Sequence, residues 1–352
     1  MSTKRFLIAT AACLAGSLLL YSGLNQNKVN AEPAAAAKAK PRIDLAFCID
    51  TTGSMQGEID AVKSKTKEIV AKLSGSKPAP EIRVGLVAYR DRGDEYVTRV
   101  FQFSDNIDQI VKDISSLKAD GGGDTPEAVN QALHASVNEL NWSKDKKTVK
   151  LLFLIGDAGP SEYPNDYKWE TESKDAIAHG IQINTIACGQ MGQGSADQQV
   201  FEKIAKLSDG KSEFLTYRQE IVNSAGERST MLSSAGRLYK MDKSSASAWR
   251  DGADKLMARG AIAPVAAPAA SPSRTAGFSM ASAGAAAGLR AGLGRARMTD
   301  AIAPSAMGGS AFGDEGYASA APMSRAESNL DDIVLGAAKE AAKKKANIEY
   351  KD

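Results

Sequence analysis

The chain has 352 residues, enough for one large domain with an appendage or for two smaller ones. A formal charge of +2, with no basic stripe interleaved with aromatics, argues against a nucleic-acid binder. Two histidines and three cysteines, without any C-x-x-C pair, leave too few soft ligands for a zinc site.

Residues 1–31 have the three-part layout of a secretory signal: Lys4 and Arg5, an apolar run from Phe6 to Leu20, then small residues at Val29–Ala31. The expected location is therefore extracytoplasmic, in a periplasm or at a cell surface. Retention as an N-terminal membrane anchor is the alternative, because Phe6–Leu24 approaches spanning length. Cys13 has Thr10 rather than an aliphatic residue three positions before it, which argues against a lipoprotein. Cleavage after Ala31 would remove Lys4, Arg5 and Lys28 and no acid, leaving a net charge of −1. The two remaining cysteines, Cys48 and Cys188, fall in predicted strands and read as buried core residues rather than a disulfide.

Residues 32–41 form a short linker. From 42 to 217, strand and helix patterns alternate. "IDLAFCID" (43–50) is a near-continuous apolar strand of the kind covered on both faces. Met55–Leu73 follows as a helix with Ile59, Val62, Ile69, Val70 and Leu73 on one stripe. Strands at 81–90 and 96–103 are joined by the polar turn "DRGDE". Helices at Ile107–Leu117 and Pro126–Leu140 flank "ADGGGD". "VKLLFLIGD" (149–157) is a second buried strand ending in a carboxylate. A helix (Lys174–His179), a strand (181–188), a helix (Gln198–Leu207) and a strand (212–217) complete the run. Six strands interleaved with helices predict an α/β fold: a doubly wound, mostly parallel six-stranded sheet with one antiparallel edge strand.

Residues 218–260 are expected to form a helical extension, with Ile221, Val222, Met231, Leu232 and Leu238 as contacts to the domain. Residues 261–327 collapse into Ala, Gly, Ser and Pro, the composition of a flexible linker. Residues 328–352 predict an amphipathic helix. Ser328 would cap it, Asp331 and Asp332 suit its first turn, and Lys343–Lys345 suit its last. Its stripe is Leu330, Ile333, Val334, Ala337 and Ala341. So short a helix is marginal alone, so it docks on the domain or meets a partner.

In open α/β sheets, ligands sit beyond the carboxyl ends of the strands where the strand order reverses. With order 3-2-1-4-5-6, that crevice lies between the first and fourth strands, which end in Asp50 and Asp157. Two facing carboxylates are costly unless a cation or proton intervenes. Thr52, Ser54 and Thr125 add neutral oxygens, and Gly53 permits the bend that aims Asp50, Thr52 and Ser54 inward together. Oxygen-only ligation with few charges suits Mg2+ or Mn2+, completed by water.

The set Asp50-x-Thr52-x-Ser54, Thr125 in "GGGDTPEA" and Asp157 in "FLIGDAGP" resembles a von Willebrand factor type A domain with a metal-ion-dependent adhesion site. The resemblance spans 42–217. It implies a binding module rather than an enzyme, with a divalent cation held directly by the hydroxyls and largely through water by the aspartates. It also implies a protein partner that offers an acidic side chain to the metal. Thr52 stands where many members have serine, and Asp157 is followed by Ala-Gly, both minor departures. Gly121–Gly123 would free the Thr125 loop, and Asp124 and Glu127 are candidates for an outer layer of the site.

Each piece also has a plain structural reading. Ser54 could cap the first helix, and Thr125-Pro126 could start the next one. An enzymatic alternative is a haloacid-dehalogenase-like phosphotransferase with Asp50 as nucleophile, because "DTTGS" is similar to the "DKTGT" loop of P-type ATPases. Against it, Thr51 replaces the lysine and no second acid stands at position 52. A further alternative is a scaffold acting through its C-terminal helix, with a purely structural metal. The "RGD" tripeptide at Arg92–Asp94 carries little weight, and His134 and His179 read as surface or core histidines.

Overall fold

Arg42–Asp50 (β1) is buried from Ile43 onward, as a central strand covered on both faces requires. The computed structural model describes residues 40–123, 125–189, 191–222, 228–241, 247–265, 327–346, 348 and 350. The signal or anchor at 1–31, most of the 32–41 linker, nearly all of 261–327 and Asp124 lie outside the described residues. Among the described residues, no helix is long and apolar enough to cross a membrane.

The elements follow β1, α1 (Gln56–Ser74), β2 (Glu81–Tyr89), β3 (Thr98–Ser104), α2 (Ile107–Ser116), α3 (Val129–His134, continued by a π-helical turn to Glu139), β4 (Val149–Gly156), α4 (Trp169–Ala178), β5 (Ile181–Ala187), α5 (Ala196–Leu207) and β6 (Ser212–Phe214). The sheet order is β3-β2-β1-β4-β5-β6. Every pair is parallel except β2 with β3. The strand order therefore reverses between β1 and β4.

Alternation along β1 divides the core. Ile43, Leu45, Phe47 and Ile49 join the layer under α1 and α2, and Ala46 and Cys48 join the layer under α3–α5, the period of two a strand imposes. β4 repeats the pattern with Leu151, Phe153 and Ile155 against Leu152 and Leu154. Asp44 is the charged exception in β1. It is fully buried but takes two bonds from Arg83, at 2.9 and 2.7 Å, and one from the Ser143 amide at 2.8 Å. Cys48 and Cys188 are free and buried, as expected.

The helical expectation for 218–260 fails. The segment forms β7 (Tyr217–Val222), β8 (Arg228–Ser234) and β9 (Arg237–Met241), then one turn at Trp249–Asp251 and the short α6 (Ala253–Ala258). β8 and β9 are joined by Ala235-Gly236, both in the left-handed region at φ 52 and 68, the backbone that a two-residue hairpin needs. Ala235 hides that signal, because asparagine or aspartate usually stands there. β10 (Ile262–Pro264) pairs with β9 and β11 (Glu327–Ser328) with β7, giving a second sheet of order β10-β9-β8-β7-β11. Its core is Leu232, Tyr239, Met241, Trp249 and Leu256.

From β11 the chain enters α7 (Leu330–Ala346), which docks on the domain beside α1. Ser328 is therefore a strand residue rather than a cap. Leu330, Val334, Ala337, Ala338 and Ala342 are buried, with Ile333 and Ala341 at the margin, so the apolar face is wider than the sequence stripe. Asp331 does more than oppose the helix dipole. It is buried between Lys65, Lys72 and Arg250, at 3.4, 3.3 and 3.2 Å. Burial alone would raise its pKa, but these cations bring it below the usual carboxylate value.

Candidate functional site

β1 ends at Asp50, and β4 beside it ends at Gly156 in the register Ile49–Ile155. Parallel pairing therefore delivers Asp50 and Asp157 to the same end of the sheet, at the reversal of strand order. A Cβ on Gly156 would collide with the buried Tyr89 hydroxyl, so glycine there makes room for that phenol beside Asp50. Gly189 makes the corresponding room for Asp157, at 3.1 Å from its Cβ.

The turn after β1 sorts its hydroxyls by direction. Thr51 points away: its Oγ1 donates to the Tyr89 carbonyl at 2.9 Å and lies 2.6 Å from the Tyr96 phenol. Thr52 points in, giving its amide and hydroxyl to Asp50 Oδ1 at 2.8 and 2.7 Å. Ser54 is exposed, in the 3-10 turn Gly53–Met55. Neither that turn nor α1 has a side-chain cap, so the capping reading of Ser54 has no support.

The loop before α3 is fastened onto this turn. The Asp120 amide donates to the Thr51 carbonyl at 3.1 Å, and the Gly53 amide donates to the Gly121 carbonyl at 3.2 Å. Gly122 has φ +71, and a Cβ on it would fall 2.7 Å from the Thr52 Cβ, so only glycine fits this approach. Thr125 lies in the same loop and is exposed. α3 starts at Val129 rather than at Pro126, because Glu127 first bridges to Pro160. Thr125 thus does not cap it.

The electrostatics are one-sided. Asp50 is fully buried and its Oδ2 has no hydrogen-bond partner. Burial pushes its carboxyl up to about 7, against the pull of Thr52's two donors, and the charges of Asp157 and Glu58 add to the rise. Burial also raises Asp157, with the Ser54 hydroxyl opposing. Glu58, on α1, is pushed up to about 7 by burial and then by Asp157. Glu127 goes to about 8, through burial and then Asp50, Asp91, Asp157 and Asp94. Among the described residues, no lysine or arginine forms an ion pair with Asp50, Glu58, Glu127 or Asp157. A crevice of carboxyls without a counter-charge has the chemistry of a cation site. Among the described residues no three Asp, Glu, His or Cys side chains meet at one point, so any ion here would rely on hydroxyls and water as well.

Glu58 was missed in the sequence. Its signal was its position in the first turn of α1, directly after the turn that carries Thr52 and Ser54. Asp94 was also passed over inside the RGD turn, where it accepts from the Gly122 amide at 3.2 Å and steadies the loop. Arg92 pairs with Asp166 at 3.0 Å and lies over Tyr163, so the tripeptide is engaged within its own domain. His134 stacks on Tyr167 at 3.6 Å and faces Glu172.

These features place the domain among open α/β folds that present a ligand site at a switch point between parallel strands. Residues 44–217 match the family described as von Willebrand factor A domain, and that stretch is such a domain. An alpha-protein kinase, vwkA, of Dictyostelium discoideum is 28% identical over 174 residues, covering 44% of this chain and 28% of the kinase. Von Willebrand factor A domain-containing protein 7 of Mus musculus is 34% identical over 122 residues, covering 35% of this chain and 12% of that protein. The chain therefore spans less than a third of these relatives' own lengths. A structure of proximal thread matrix protein 1 from the mussel byssus, with a zinc-occupied MIDAS motif, is 18% identical with a TM-score of 0.38. It covers 50% of this chain and 42% of that one, and a likeness so low says nothing about what this chain binds.

Proposed function

We propose that the domain is a divalent-cation-dependent protein-interaction module and not a catalyst. Asp50, Thr52, Ser54, Thr125 and Asp157 would hold a Mg2+ or Mn2+ ion, whose role is to accept an acidic side chain of a protein partner. Residues 1–31 would export or anchor the module outside the cytoplasm. The observation that carries this reading is Asp50: a fully buried carboxyl among further acids, with one oxygen unpartnered and no paired base among the described residues. A buried polar atom left unpaired costs about 1–3 kcal/mol, more when charged, so such a group persists where a ligand completes it.

The test is thermal unfolding in chelator and in millimolar Mg2+ or Mn2+. An ion bound only to the folded state at a hundred times its dissociation constant adds about 2.7 kcal/mol. For a domain of this size, that is a rise in Tm of roughly 5–10 °C. Asp50→Asn retains the acceptor for Thr52 and should show no rise. An equal rise in both proteins, or none in the wild type, contradicts the reading.

A further inference from the structure

Glu127 stands beside the cation ligands without a structural partner of its own. It is buried and its Oε2 has no hydrogen-bond partner. Its backbone is clamped on both sides: the amide donates to the Gly159 carbonyl at 2.9 Å, and its carbonyl accepts from the Ser161 and Val129 amides at 2.7 and 2.8 Å. Such a clamp holds the side chain in place before any ligand arrives. A Cβ on Gly122 would lie 3.3 Å from Glu127 Oε1 and 2.7 Å from the Thr52 Cβ, so Glu127 and Thr52 flank one glycine. Thr52 in turn donates to Asp50 Oδ1, and Asp50 Oδ2, like the buried Tyr89 hydroxyl, also has no hydrogen-bond partner among the described residues.

The other acids and bases nearby are engaged elsewhere. Asp91 takes the Tyr163 phenol and Asp94 takes the Gly122 amide. Arg90 donates to the Thr51 and Lys118 carbonyls and Arg92 pairs with Asp166. Among the described residues Glu127 therefore has no donor. It does not meet Asp50 and Asp157 at a common point either, as a third direct carboxylate would have to. Waters bound to a divalent cation are strongly polarised donors, and Mg2+ keeps several of them when it binds protein.

We infer that Glu127 accepts a hydrogen bond at Oε2 from the water shell of the cation, and so sets the affinity of the site without touching the metal. The inference rests on the cation site proposed above and adds a positioning residue to it. An outer partner of this kind typically accounts for 10–100-fold in metal affinity.

The experiment is calorimetric titration of the full chain with MnCl2 and with MgCl2, alongside terbium luminescence lifetimes in H2O and D2O, which count ion-bound waters. Glu127→Gln removes the charge. Glu127→Asp retains it but withdraws the oxygens by one methylene. Both should bind Mn2+ at least tenfold more weakly than wild type, with an unchanged count of bound waters. Unfolding in chelator checks that both variants remain folded. Wild-type affinity in Glu127→Asp would reduce the residue to a through-space charge, and wild-type affinity in Glu127→Gln would reduce it to a loop support. An additional bound water in either variant would make it a direct ligand. Each of those results overturns the inference while leaving the cation site standing. Absence of Mn2+ binding by the wild type, or undiminished binding by Asp50→Asn, overturns the site and the inference together.

Discussion

Thr51 and Thr52 are chemically alike neighbours with opposite directions, one bonded to Tyr89 and Tyr96 and the other to Asp50. The i, i+2 spacing of Asp50, Thr52 and Ser54 already selected Thr52, since alternate residues leaving a strand share a side. Glu127 was legible from its place beside Thr125, whereas Glu58 was harder to read, one acid among many in the sequence until its burial is seen. Glu58 yields a prediction. Burial raises its carboxyl from the ordinary 4.5 to about 7, so the folded state holds a proton that the unfolded state has released. Its contribution to stability is thus fully present below about pH 4.5 and is lost as pH rises through about 7. Glu58→Gln removes that loss. In chelator the variant should gain on the wild type as pH rises, reaching about 1–3 kcal/mol above pH 7, with no gain near pH 4. Urea unfolding across that range measures it, and a difference that does not change with pH would contradict the assignment.

At the scale of elements, strands buried on both faces were legible because "LAFCI" and "LLFLI" are short unbroken apolar runs that lead into Asp50 and, after Gly156, Asp157. The β8–β9 hairpin was not. Its turn uses an alanine at positive φ, and its strands mix serine, arginine and lysine with few apolar residues. α7 was legible as a helix but its destination was not, because an alanine-rich stripe is narrow until Leu335, Ala338 and Ala342 are seen to be covered too. This helix completes the layer over α1, and Leu330 at its start is fully buried. Leu330→Ala should therefore cost about 2–4 kcal/mol in chemical denaturation. A cost under about 0.5 kcal/mol, the level of an exposed position, would mean that α7 does not dock in solution.

For the molecule as a whole, docking of α7 changes how the C-terminal region can be tested. The chain leaves the second sheet at β10 and re-enters it at β11, on the opposite edge, before running back across the domain. Residues 327–346, with Ile348 and Tyr350, are thus packed into the domain's own core. Removing everything after residue 260 would strip α1 of its cover rather than merely release an arm. Composition suggests a domain, a linker and a helix that docks or meets a partner, and leaves the choice open because it records what a segment can bury but not against what.

The account stands on Asp50 and Asp157 sharing one divalent cation with the hydroxyls between them. The most direct measurement is a crystal grown with MnCl2 and recorded at a wavelength where manganese scatters anomalously. The account predicts one strong anomalous peak in the crevice bounded by Asp50, Ser54 and Asp157, absent from crystals of Asp50→Asn. A crevice without a peak at saturating manganese, or a peak that persists in Asp50→Asn, would contradict it.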